Sequence, residues 1–474
     1  MKASVVFALV VAVLVGVIAA RLTTTPAYWF DEAVNLEVAR TFAETGHYAL
    51  ATSPDEYYSH SYQFETSGYP LVAPLALLFK VFGFSFSLAR GMMLISLIVF
   101  LFSVYFLARH WWGDWPAVGA VALLASFPPL VFNGMSIIGE VPALALITLG
   151  LLSLDYFLER RKLLNFVLAG LAFGLALSAK PLFAPLILAL FVAYLVYRKG
   201  LHIESREYLA FIIAFVLPLF AFLFLAMPQS GGFDSIWGIV STYMGRSSQH
   251  MMGENVISNL RNLFTQASGI YTLVLALICA LAFTSRSVRE KLNLSRLVGF
   301  LFALIMLLFF IQSVGWGRYL LATQVALLIA LPVALIAILS RFSWYRRYLV
   351  PSLIVLLCVG QFAHAITKSE LRTLSGPREA ELEEFLSANA PDGGVYFIDS
   401  FEAAALLTSE RRYHYFRFED RIVMPNPLDN LPNSSFEYII TKQDNPDFAM
   451  YIDSVLLHYE LLATHGSLSL YKRK

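Results

Sequence analysis

Apolar runs of membrane-spanning length recur from one end of this chain almost to the other. Eleven of them read as spans, near residues 3–21, 87–108, 116–133, 141–158, 165–180, 182–197, 208–228, 269–284, 297–314, 319–340 and 349–366. About 20 apolar residues in a helix cross a bilayer core, and in hydrocarbon every backbone polar group must be satisfied within the segment. The fold class follows: an all-α polytopic membrane protein. Only 14% of the 474 residues are charged, against 58% hydrophobic, where soluble domains carry about 25% charged residues. The stretch 69–84 is apolar but short, bracketed by Pro70 and Gly83 and broken by Pro74, and reads as an interfacial or re-entrant helix.

Lysine and arginine orient the bundle. Arg160, Arg161 and Lys162, then Arg198, Lys199 and Arg206, then Arg286, Arg289, Lys291 and Arg296, then Arg341, Arg346 and Arg347 all fall in alternate loops. The positive-inside rule puts those loops and the amino terminus in the cytoplasm, and the loop 22–68 and the tail 367–474 outside a cell membrane. The run Ala3 to Ala20 after Lys2, with small Ala19 and Ala20, also has the form of a signal peptide; a retained first span suits the charge map. The tail changes character. Residues 377–390 pattern as an amphipathic helix, and 394–399, 438–441 and 467–471 as strands, a small α/β domain able to hold a core. Two domains are expected, 1–366 and 367–474.

A net charge of +1 gives no electrostatic footprint for nucleic acid. The two cysteines, Cys279 and Cys358, lie in apolar segments and make neither a disulfide framework nor a zinc site. His47, His60 and His250 lack metal-ligand spacing, and no cofactor is expected.

Charge instead gathers at the outer ends of the spans. Asp31 and Glu32 follow the first span, and Asp31 to Thr45 patterns as an amphipathic helix with Val34, Val38 and Phe42 on one stripe, suited to the membrane surface. Glu140 stands in the next acidic loop before Pro142, Lys180 ends span 165–180, Arg318 and Tyr319 open span 319–340, and Arg90 lies near the outer end of span 87–108. Acids can act as base and positioning group, and cations can hold a phosphate. Taken alone, Lys180 and Arg90 read first as snorkelling anchors, Glu140 equally as a helix-start charge, and Arg318 as able to stack on Trp316; Asp31 and Glu32 could be helix-start charges, but their depth at the membrane edge favours a functional reading. The loop 229–268, with Asp234, Arg246, His250 and Glu254, reads mainly as solvated.

The order of these residues resembles the GT-C glycosyltransferases that use lipid-phosphate sugars, particularly relatives of protein O-mannosyltransferases and lipid A aminoarabinose transferases. The resemblance runs through Trp29-Phe30-Asp31-Glu32-Ala33, then Gly68-Tyr69-Pro70 to Leu88-Ala89-Arg90, then Ser136-Ile137-Ile138-Gly139-Glu140-Val141-Pro142, the Gly-rich run Ala169 to Lys180, and Gly317-Arg318-Tyr319-Leu320-Leu321. It covers about residues 1–366. The family often has Asp where Glu140 stands and a doubled proline near Tyr69-Pro70. The chain lacks a Trp-Trp-Asp sequence and an Asp-X-Asp in its first loop, which argues against en bloc oligosaccharide transfer and its divalent metal. The resemblance implies transfer of one sugar, with inversion, from a polyprenyl-phosphate donor to a glycan, lipid or protein acceptor outside the membrane. Asp31 would be the base, and Glu32 would position the acceptor or that base. Glu140 would support the pocket, and Lys180, Arg318, Tyr319, Arg90 and Tyr69 would bind substrate. A transporter or flippase of a lipid-linked glycan is the alternative; it calls for mid-span charges and inverted repeats, and neither stands out.

Overall fold

The computed structural model describes residues 2–20, 28–53, 56–58, 67–200, 203–226, 252–290, 292–313, 315–339, 343–367, 379–391, 393–398, 400–407, 412–415, 436–442 and 451–474. His60, Asp234, Arg246 and His250 lie outside them. Helices dominate: α1 (Ala3–Ala19), α2 (Phe30–Thr45), then after a short hairpin β1 (Leu50–Ser53) and β2 (Glu56–Tyr58), α3 (Tyr69–Phe82), α4 (Phe86–Trp112), α5 (Asp114–Ala125), α6 (Pro128–Met135), α7 (Glu140–Arg160), α8 (Leu163–Ala179), α9 (Pro185–Tyr197) and α10 (Ser205–Ala226). The second half adds α11 (Met252–Thr265), α12 (Ala267–Phe283), α13 (Arg286–Arg289), α14 (Leu294–Gln312), α15 (Leu321–Ile338) and α16 (Ser343–Thr367).

Five helices are long and apolar enough to cross a membrane, or up to seven if each of two bent pairs is one span. Shorter apolar helices, α1, α8 and α9 among them, fill the remaining expected positions. The expected span 116–133 is not continuous. It breaks between α5 and α6 with a bend of 68°, because Phe127 precedes Pro128 and Pro129, and a residue before proline is pushed out of the helical region. Stretch 69–84 is a 14-residue helix. Alternating helix direction gathers the start of α4, the start of α7, the end of α8 and the start of α15 on one face, and Arg109, Arg160, Arg198 and Arg286 on the other.

The tail forms α17 (Glu379–Asn389), β3 (Val395–Ile398), α18 (Phe401–Leu406), β4 (Arg412–Tyr415), β5 (Tyr438–Lys442), α19 (Ile452–His458), β6 (Tyr459–His465) and β7 (Leu468–Arg473). Its five strands run in the order β4-β3-β5-β7-β6. The β3 strand is parallel to both neighbours, whereas β7 is antiparallel to both of its own. One set of sheet residues, with Phe397, Ile439 and Tyr471, packs on Val455 of α19 as a core of its own. The other, with Tyr396, Ile398 and Leu470, joins a core that includes Val34 and Leu36 of α2 and Leu71 and Leu75 of α3.

That shared core changes the place of α2. An amphipathic helix on the bilayer surface is expected, but every residue from Asp31 to Thr41 is buried. The expectation fails because the soluble domain covers the polar face that water would otherwise meet. The helix still starts and stops by ordinary rules: acids occupy its positive first turn, and Gly46, at φ 78°, ends it in the left-handed conformation.

Candidate active site

The predicted acids and bases meet as three ion pairs. Glu32 reaches Arg90 at 3.1 Å with both side chains 0% exposed. Glu140 reaches Lys180 at 2.9 Å, at 1% and 2%. Asp31 pairs with Arg318, at 12% and 17%. The last pair is the most open of the three. Breaking a buried pair by removing one partner typically costs 3–5 kcal/mol, so the first two are also structural ties.

Backbone geometry explains why these pairs form. α8 ends at Lys180 because Pro181 follows it; Lys180 turns to φ −144°, ψ 94°, and its side chain leaves the helix end. Two glycines let other segments touch that end. A Cβ on Gly139 would overlap the Ala179 carbonyl, and one on Gly68 would overlap the Ser178 carbonyl. Gly68 N–H instead donates to Ala179 O at 3.1 Å. The approach at Gly139 sets Glu140, the first residue of α7, beside Lys180. The Lys180 ammonium, 2.9 Å from Glu140 Oε1, neutralises that buried carboxylate.

Asn35 of α2 fixes the neighbouring loop: its Nδ2 donates to Ile137 O at 2.7 Å and to Ser67 Oγ at 3.2 Å. Ile137 N–H in turn donates to Glu32 Oε1 at 2.9 Å. Burial raises the Glu32 carboxyl above the usual glutamate range, while the Arg90 charge and the Ile137 and Trp29 N–H groups pull it down.

Arg318 lies in a short 3₁₀ turn, Gly317–Leu320, that leads into α15. Its guanidinium stands 4.4 Å from the Trp316 ring centre, 5.4 Å from Trp29 and 5.8 Å from Tyr319. Glu140 and Asp31 both act electrostatically on Arg318 and on Tyr319. The structure thus brings together Asp31, Glu32, Arg90, Glu140, Lys180, Arg318 and Tyr319. Tyr69, half-buried at the start of α3, joins none of the three pairs, although its backbone adjoins the Gly68 contact with α8. Trp29 and Asn35 are given no role by the sequence; the signal for Trp29 is its place in the Trp29-Phe30-Asp31-Glu32 run, two residues before Asp31. Among the described residues no group of three or more His, Cys, Asp or Glu could hold a metal ion.

A largely apolar cavity of about 530 Å³ lies between α4, α7, α12, α14 and α15, with Leu144, Cys279 and Phe302 in its wall. Its lining follows α15 from Ala322 to Ala337, or about 22 Å of helix. It therefore begins one turn below Arg318.

Residues 70–224 match the model of the dolichyl-phosphate-mannose-protein mannosyltransferase family. A search of curated proteins gives no match. The fold is similar to that of ArnT from Cupriavidus metallidurans, solved bound to undecaprenyl phosphate, at TM-score 0.69 and 15% identity over 99% of this chain and 97% of that one. It is also similar to the Archaeoglobus fulgidus oligosaccharyltransferase, at TM-score 0.55 and 13% identity over 92% and 70% of the two chains. A third likeness is to the mycobacterial arabinofuranosyltransferase AftD, at TM-score 0.56 and 14% identity over 98% and 40%.

Proposed function

We propose, from the premise that this chain has the GT-C glycosyltransferase fold, that it transfers a single sugar from a polyprenyl-phosphate donor to an acceptor outside the membrane. The Asp31–Arg318 pair carries this reading. It joins a carboxylate and a cation, is the most open of the three pairs, and sits one turn above an apolar cavity. A molecule with an isoprenoid tail and a phosphate head matches that succession of surfaces, and the ArnT structure with undecaprenyl phosphate is in keeping with it.

In the proposed reaction Asp31 takes the proton of the acceptor hydroxyl as its oxygen attacks the anomeric carbon. The bond from that carbon to the phosphate oxygen breaks on the opposite face, which inverts the centre. The leaving phosphate keeps the electron pair and is met by Arg318 and Lys180. Glu140 holds Lys180 until then, and Tyr319 lines the same corner. Arg90 is fully enclosed with Glu32, so its part is to fix the first turn of α2 and not to touch the phosphate. The acceptor is a glycan, lipid or protein. In this orientation the amino terminus and the arginine-rich loops are cytoplasmic, and the site and the tail domain face outward.

Purified full-length protein is incubated with a panel of polyprenyl-phosphate sugars and candidate acceptors, and mass spectrometry follows both glycosylated acceptor and released polyprenyl phosphate. Acceptor-dependent release from at least one donor is expected. Unchanged donor across the panel, with donor binding retained, would overturn the proposal.

A further inference from the structure

Arg40 lies in the third turn of α2, nine residues or about 13 Å beyond Asp31. It is 3% exposed. Its guanidinium stands 5.4 Å from the ring centre of Phe84, between α3 and α4, and its hydrogen bonds reach the soluble domain at the C-terminal end of α18. Nη1 donates to Ala405 O at 3.1 Å and to Leu407 O, and Nη2 to Ala404 O at 3.4 Å and to Glu37 Oε2 at 2.6 Å. The last carbonyls of a helix have no partner within it and carry its negative end. A buried guanidinium answers both needs, with three carbonyls and one carboxylate arranged about it.

The surroundings make this join tight. Ala403, Ala404 and Ala405 of α18 are all 0% exposed, and their small side chains let α18 lie close on α2. They share one core with Ala33, Val34 and Val38. α18 is itself held in its domain: Ser400 Oγ accepts from Ala403 N–H at its start, and Glu402 pairs with Lys442 of β5 at 2.8 Å. Thus α2 is held at two places by two different bodies. Its first turns are tied to the membrane bundle through Glu32–Arg90 and Asn35, and its third turn is tied to the soluble domain through Arg40.

We propose that Arg40 is a positioning residue for the transfer, and that through it the soluble domain sets where the first turn of α2 holds Asp31. This inference rests on the reading of Asp31 as the base. A base must stand within hydrogen-bond reach of the hydroxyl it deprotonates, and a misplacement of about 1 Å arising far from the chemistry can cost a hundredfold in rate.

The test uses the full-length protein with Arg40→Ala and Arg40→Lys. It measures kcat, KM for the donor, and hydrogen–deuterium exchange of the peptide spanning residues 29–36. Arg40→Ala should lower kcat by roughly 10- to 100-fold, leave the donor KM near its wild-type value, and speed exchange in that peptide. Lysine can make some but not all of the four bonds, so Arg40→Lys should fall between. Should Arg40→Ala not fold, Arg40→Lys and Glu37→Gln supply the same readouts in milder form. A lower melting temperature with unchanged kcat and unchanged exchange would overturn the proposal and leave Arg40 as a domain fastener. If wild-type protein turns over no donor, the reading of the activity fails on its own, and the exchange measurement still decides whether Arg40 governs the first turn of α2.

Discussion

If Asp31 is the base of the proposed reaction, Asp31→Asn should separate catalysis from binding. The substitution keeps the outline of the side chain and leaves an oxygen that can accept from Arg318, but it removes the basicity. General-base catalysis contributes typically 10²–10⁴-fold, which at 1.36 kcal/mol per tenfold is about 2.7–5.4 kcal/mol of barrier. The stability loss should be smaller. The pair is 12% and 17% exposed, so solvent screens it, and a partner remains; about 1 kcal/mol is the scale expected of a partly exposed pair. Donor binding should hold or tighten, because Arg318 loses a carboxylate that competes with phosphate. Two assays divide these effects: single-turnover release of polyprenyl phosphate at saturating donor, and a donor titration followed by tryptophan fluorescence, since Trp29 and Trp316 flank the guanidinium. A variant that turns over within a few-fold of wild type would rule Asp31 out as the base and leave it only the partner of Arg318. Loss of donor affinity in step with rate would equally refute the reasoning.

Three further outcomes are expected. Lys180→Met should weaken donor binding tenfold to a hundredfold, the scale of a charged contact worth about 1.5–3 kcal/mol. Adding Glu140→Gln should restore melting temperature but not affinity; recovery of both by the double variant would make the pair purely structural. Gly68→Ala should destabilise by about 1–3 kcal/mol through overpacking, because the new Cβ has to displace the Ser178 carbonyl and the Phe222 ring; wild-type melting would contradict the close approach. Glu32 gives a pH test. Its carboxyl is raised by burial, so its contribution is fully present below the ordinary glutamate pKa and is lost as pH rises through the folded value. The stability of wild type relative to Glu32→Gln should therefore fall as pH rises from about 4.5, and a difference that grows with pH would mean that Arg90 outweighs burial.

Much of the site is legible in the sequence because charge at the end of an apolar run is expensive and therefore conspicuous. Asp31, Glu140, Lys180 and Arg318 all announce themselves in this way, and one alternation of helix direction suffices to put them on one face. Their pairing is not legible. Which helix lies beside which depends on contacts such as Gly139 against Ala179, and nothing local distinguishes that glycine from the others. The burial of α2 is hidden for a different reason. Its alternating pattern is that of a surface helix, and the body that covers its polar side comes from residues more than 350 positions later. Arg40 accordingly carries no signal of its own until the soluble domain is in place. Asp155, which accepts from Trp111 Nε1–H and, at 2.6 Å, from Asn293 Nδ2 near the arginine-rich face, is masked by the basic loops around it.

The three ion pairs make the resting site electroneutral, and this constrains the transfer in a way that no single residue does. A sugar phosphodiester brings one negative charge, and cleavage leaves a phosphate monoester with room for a second. In the proposed reaction the proton that Asp31 accepts discharges that carboxylate as the phosphate gains its charge. Arg318, within cation–π distance of Trp29 and Trp316, then changes counterion without crossing the site. The total charge of the enclosure is the same before and after the step, and an enzyme working at the edge of a low-dielectric medium needs only to relocate one negative charge over the span of a guanidinium.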